Sequence, residues 1–104
     1  MRTFDHVGIP TTEPKEGEMY NPGMKLFLTD YSKCPNRIEW LRFDSDSWMP
    51  KLIQTMTHIA WQVTDPKAEM VGKKVLLEPT DLGGGHWLAF VQEGDIAVEL
   101  LWTE

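Results

Sequence analysis

Residues Thr3 to Pro10 alternate in the strand manner, with Val7 and Ile9 on one face and Phe4, His6 and Gly8 on the other. "TTEPKEGEMYNPG" follows, rich in proline, glycine and charge, and is predicted to be an extended loop. "MKLFLTDYS" and "RIEWLRF" are predicted strands joined through "KCPN" as a hairpin turn. "DSDSW" supplies capping residues for a short helix in "MPKLIQTM", where Pro50 suits the first turn. "THIAWQVTD" is again strand-like. "DPKAEMVGKK" then reads as a helix, with Asp65 as N-cap, Pro66 at the first position and lysines near its end. "VLLEPTDL" is a strand, "GGG" a connection, and "HWLAFVQ" and "DIAVELLW" a hairpin about "EGD".

Two of these strands repeat each other. "DHVGI" lies over "THIAW" at an offset of 52, and "IEWL" lies over "VELL" at an offset of 60. Each pairing aligns one histidine with another or one glutamate with another: His6 with His58, and Glu39 with Glu99. The second His-to-Glu interval is longer by 8 residues, about the length of "PKAEMVGK", the helix for which the first half has no counterpart. A duplication, with module one at about 1–50 and module two at about 51–104 of a single domain, accounts for this spacing.

Composition narrows the function classes. A chain of 104 residues has room for one modest core, to which five tryptophans contribute. The net charge of −6, with no basic run beyond Lys73-Lys74, argues against nucleic acid or an anionic membrane as partner. No apolar run reaches membrane-spanning length, and "MRTFDHVG" lacks the apolar stretch of a secretion signal. Cys34 is the single cysteine, so no disulfide closes within the chain and a cytoplasmic setting is expected.

Two histidines and two glutamates at related positions of duplicated modules suggest one shared site on a pseudo-twofold axis. Neutral imidazole and carboxylate suit a divalent first-row metal. Two nitrogens and two oxygens leave two places on a six-coordinate ion for the adjacent oxygens of a substrate. A metal held in this way can stabilise an enediolate as a Lewis acid.

With these residues in view, the chain resembles the glyoxalase, bleomycin-resistance and extradiol-dioxygenase proteins, the vicinal oxygen chelate superfamily. "DHVGI", "RIEWL", "THIAWQV" and "IAVELL" match, in order, the first and last strands of that family's two modules and span nearly the whole chain. The resemblance implies an α+β fold in which paired βαβββ modules form a cupped mixed sheet. Here the first module is shortened and lacks its helix, with loss of a strand left open. It also implies His6, Glu39, His58 and Glu99 as ligands of one divalent ion (Zn, Ni, Co, Mn or Fe), Glu99 or Glu39 as the proton-moving base, and a homodimer. The expected function is that of a glyoxalase-like lyase or isomerase acting on a small molecule with adjacent oxygens. A non-catalytic binding or resistance protein of the same fold is the alternative, and an iron-dependent dioxygenase a third. No glutathione-binding pattern is recognisable.

Each residue also has a plainer reading. A strand histidine is commonly a satisfied surface or core residue, and the four polar groups could form a metal-free hydrogen-bonded cluster. Gln62 shares parity with His58 and is a candidate pocket contact. His86, after "GGG", is a candidate at the pocket edge or a strand residue in solvent. Trp61 has the opposite parity and belongs under the helix layer. Asp5 and Asp65 read as solvent or cap positions.

Overall fold

A computed structural model describes residues 1–104. Eight strands form one mixed sheet, numbered along the chain as β1 (Arg2–Pro10), β2 (Met19–Asn21), β3 (Leu26–Leu28), β4 (Ile38–Phe43), β5 (His58–Val63), β6 (Lys74–Gly83), β7 (His86–Glu93) and β8 (Ile96–Thr103). Their order across the sheet is β2-β3-β4-β1-β5-β8-β7-β6. Read outward from the centre, each half runs first, last, third, second strand. β1 and β5 meet antiparallel at the axis, and each has the closing strand of its own half, β4 or β8, parallel beside it. This is the cupped α+β sheet of paired modules that the resemblance implies.

The first half lacks a helix between its first two strands, as expected, but it has lost no strand. β2 and β3 are three residues each, whereas β6 and β7 have ten and eight. The eight-residue deficit therefore falls on strand length as well as on the helix. β3 and β4 pair antiparallel, but "KCPN" is not a tight hairpin turn. The connection carries a 3-10 turn, Tyr31–Lys33, in which Asp30 accepts a hydrogen bond from the Ser32 amide. It then needs the left-handed Arg37 (φ 52) to re-enter β4. A polar segment with a good cap satisfies its own backbone and has no reason to extend a strand.

Two short helices cover the sheet. α1 (Lys51–Thr55) follows Pro50, and no side chain caps it, so "DSDSW" does not serve the capping role expected of it. α2 (Pro66–Met70) is capped by Asp65, whose carboxylate accepts from the Ala68 amide, and Pro66 opens its first turn. It ends before the two lysines, since Gly72 takes a positive φ of 75°. Period-two alternation sorts the core by face. Ala89, Val91, Val98, Leu100 and Trp102 pack on the α2 side with Trp61 and Met70. Leu88, Phe90 and Ala97 pack on the other side with Met49 and Ile53, so that α1 and its approach close the cup from one end. No helix is long and apolar enough to cross a membrane.

Candidate metal centre

Strand register brings the four predicted residues together. β1 aligns His6 with Ala60 and Gly8 with His58 on β5. The parallel flanking pairs align Gly8 with Glu39 and Ala60 with Glu99. Two cross-strand rows result: His58–Gly8–Glu39 and His6–Ala60–Glu99. Residues in register point to the same face and stand one strand spacing apart, about 5 Å. With only glycine or alanine in the middle of each row, the long side chains on either side can lean over it and meet.

They meet in the cup. Glu99 Oε1 lies 3.0 Å from His58 Nε2 and 3.2 Å from His6 Nε2, and Glu39 Oε1 lies 3.4 Å from His6 Nε2. Ligand atoms of His6, Glu39 and His58 all fall within 4.8 Å of one another. His6, His58 and Glu99 are buried and Glu39 nearly so. The donor set, two imidazoles and two carboxylates, suits a borderline divalent ion. The hydrogen bonding fits it as well. His6 Nε2 is close to both carboxylates yet aligned for a hydrogen bond with neither, and His58 Nδ1 is buried with no partner. Leaving such groups unpaired costs about 1–3 kcal/mol each, which an ion at Nε2 of His6 would relieve for that atom.

Two participants, Asp5 and Tyr31, escape the sequence pattern. A bulge between Phe4 and His6 shifts the β1 register, so Phe4 faces Trp61 while His6 faces Ala60. Phe4 therefore leaves the histidine face to which simple alternation assigns it, and packs edge-on against Trp61 at 6.0 Å. Asp5, expected in solvent, is instead buried, with its Oδ2 2.6 Å from His6 Nδ1 and its Oδ1 accepting from Gln62 Nε2 at 3.1 Å. Tyr31, from the 3-10 turn, stacks on the His6 ring at 4.1 Å. The sequence did carry a hint, since Asp5 shares parity with Val7 and Ile9, where a charge on an apolar face is out of pattern.

The charges respond to this crowding. Burial alone would lower His6, but Glu39 and Glu99 outweigh it and push it up to about 10. Burial lifts the Glu39 carboxyl above its ordinary range, only partly offset by His6. Burial works on Glu99 in the same direction, yet the His58 hydrogen bond and the close His6 imidazole hold it below that range. Asp5 also ends below its ordinary value, with the His6, Gln62 and Tyr31 contacts overcoming burial.

The cup forms a half-open cavity of about 200 Å³ lined by all four residues. Its remaining wall is mostly apolar, including Leu28, Leu41, Phe43, Met49, Leu88 and Phe90. Gln62 and His86 do not line it. Gln62 reaches the site only through Asp5, and His86 is exposed at the start of β7 opposite Thr103.

Sequence comparison finds no match, either to a family model or to a curated protein. Structural comparison does find matches. A hypothetical protein from Bacillus halodurans C-125 superposes with a TM-score of 0.71 at 18% identity, over 99% of this chain and 95% of that one. Methylmalonyl-CoA epimerase from Mycobacterium tuberculosis superposes with a TM-score of 0.61 at 16% identity, over 97% and 87%. Likeness at such identities is a likeness of fold alone.

Proposed function

We propose, from a vicinal oxygen chelate fold whose cup gathers two histidines and two glutamates, that this protein is a metal-dependent lyase or isomerase of the glyoxalase type. The observation that carries the reading is the convergence of His6, Glu39, His58 and Glu99 from pseudo-twofold-related strand positions into one small cavity. These four side chains would hold a divalent first-row ion. Such an ion would supply Lewis-acid polarisation of two adjacent substrate oxygens. Glu39 or Glu99 would take a proton from the carbon beside them and return it, work suited to a carboxylate within reach in a water-poor site. The apolar wall would orient the substrate body and keep bulk water from the reacting carbon.

Elemental analysis of untagged protein, purified without added metal, tests the centre. A first-row metal near one per chain is expected, and His58→Ala should lower both metal content and ligand affinity. A site that also refuses Ni, Zn, Co and Mn, or a His58→Ala variant indistinguishable from the parent, rejects the reading. The reaction class is tested by solvent-deuterium exchange at the hydroxyl-bearing carbon of an α-hydroxyketone, followed by NMR.

A second reading, a binding protein without catalysis, is favoured by the direct His58–Glu99 hydrogen bond, since the cluster can partly satisfy itself without an ion. Metal-independent ligand affinity together with absent exchange would promote it.

A further inference from the structure

Three properties of the cavity wall bear on what the cup accepts. Size comes first. A dry apolar cavity of about 150 Å³ takes up one benzene ring, so 200 Å³ holds one ring or one branched chain plus a few atoms. Charge comes second. No lysine or arginine lines the cavity, and its titratable side chains are His6, Glu39, His58, Glu99 and Tyr31. Arg37, which reaches Tyr31 from outside the cavity, is already engaged, lying over the Tyr31 ring and donating to the Asp5 carbonyl oxygen. Polarity comes third. Apart from those titratable groups, Asn21 is the one polar side chain on the wall, whereas Leu28, Leu41, Leu88, Phe90 and Leu101 offer only carbon.

An anionic group pushed into this wall would shed its hydration and find no countercharge beyond a centre that two glutamates already neutralise. Burial of that kind is strongly disfavoured. A sugar-like body would leave hydroxyls unpaired against leucine and phenylalanine. An apolar body gains free energy in proportion to the area it buries.

We infer that the cup selects a small uncharged compound, a single ring or branched alkyl group bearing two adjacent oxygens at one end, and discriminates against substrates with a carboxylate or phosphate on the buried body. The chelating end rests on the metal reading above; the size and charge of the body rest on the wall alone.

Two arms keep those foundations separate. On Zn-loaded protein, calorimetric titration compares three hydroxamates, which present two adjacent oxygens. Benzohydroxamate should bind roughly tenfold or more tighter than acetohydroxamate, given the extra apolar area. 4-Carboxybenzohydroxamate should bind at least about tenfold weaker than benzohydroxamate, reflecting the buried charge. On metal-free protein, methyl NMR of Leu28 and Leu88 should report uptake of toluene but not of benzoate. Leu82 lines the cavity while remaining 46% exposed, so Leu82→Arg can add a cation without disturbing the core. Within that variant the carboxylated hydroxamate should gain on benzohydroxamate, narrowing or reversing the gap seen in the parent. Equal binding of benzo- and acetohydroxamate, or tighter binding of the carboxylated ligand by the parent, overturns the inference. Benzoate uptake matching toluene overturns it as well. Failure to load zinc would reject the metal centre alone, and the toluene and benzoate arm would still decide the wall.

Discussion

The His58 ring lies flat across Gly8 on the neighbouring strand. A Cβ built on Gly8 would stand 2.5 Å from His58 Nε2 and 2.8 Å from Nδ1, closer than real side-chain contacts allow. Glycine here is a steric requirement of the site, because the ring, set on β5, leans over β1 at this residue toward the side from which Glu39 reaches in. Gly8→Ala gains about 0.5–1 kcal/mol in strand propensity but forces the ring or the strand to move, an overpacking cost of about 1–3 kcal/mol. We expect urea unfolding of metal-free Gly8→Ala to show net destabilisation of about 1–2 kcal/mol, with metal affinity down at least tenfold. A variant as stable and as tight as the parent would mean that His58 is not held in this pose.

Asp5 makes a separate prediction. As an acceptor it fixes a proton on His6 Nδ1 and turns Nε2 toward Glu39 and Glu99. Loss of such a partner typically costs about 10- to 100-fold in metal affinity. Asp5→Ala should fall in that range while the fold persists, and Asp5→Asn, whose amide oxygen can still accept, should lie between it and the parent. Imidazole nitrogen NMR should show His6 held as the Nδ1–H tautomer in metal-loaded parent and losing that preference in Asp5→Ala. Unchanged tautomer and affinity would reduce Asp5 to a packing residue.

How far these relationships were legible in the sequence depends on their range. Paired His and Glu positions are set by a repeat, and a repeat survives as spacing, so Glu39 and Glu99 could be assigned to closing strands from counting alone. Parity gave Trp61 its place beside α2 for the same reason. A bulge adds one residue and inverts parity behind it, so alternation puts Phe4 on the wrong face and leaves Asp5 to solvent, while His6, beyond the bulge, is placed correctly. Tyr31 was invisible as a site residue because its place depends on a turn between strands rather than on strand phase. The apolar wall is assembled from several distant strands and α1, and no local pattern marks it.

Acid stability should depend on a site far from the cup. Arg2 joins the start of β1 to Glu69 near the end of α2 and to Glu93 at the end of β7, where Lys73 also binds. The Arg2 hydrogen bond, helped by Lys73 and opposed by partial burial, lowers Glu93 from its ordinary 4.5 to about 2. A depressed carboxylate stabilises the fold above its unfolded value, and that contribution is lost as pH falls through the folded one. Glu93 should therefore cost stability between about pH 4.5 and pH 2. Allowing for solvent screening of a side chain 30% exposed, the loss is about 1–2 kcal/mol. Glu93→Gln should lower stability at pH 7 by that amount and flatten the profile across this window in urea unfolding. A parallel profile offset at every pH would assign the acid loss to other carboxylates.

Metal uptake should be linked to both folding and protons. In the metal-free cluster, His6 and the two glutamates share charge at contact distance, and an ion must replace the proton shared among them. Binding should release protons, measurable as a calorimetric enthalpy that varies with the ionisation enthalpy of the buffer, and should strengthen as pH rises from 5 to 8. Because the ligands come from β1, β4, β5 and β8, one ion ties both halves of the sheet across the axis. Free metal at about 100 times its dissociation constant should stabilise the fold by about 2.7 kcal/mol, reversibly on chelation. Glu39→Gln and Glu99→Gln should each abolish most of this gain, Glu99 the more severely, since it contacts both histidines and Glu39 only one. A metal-induced gain that survives either substitution intact would place the ion somewhere other than between these four residues.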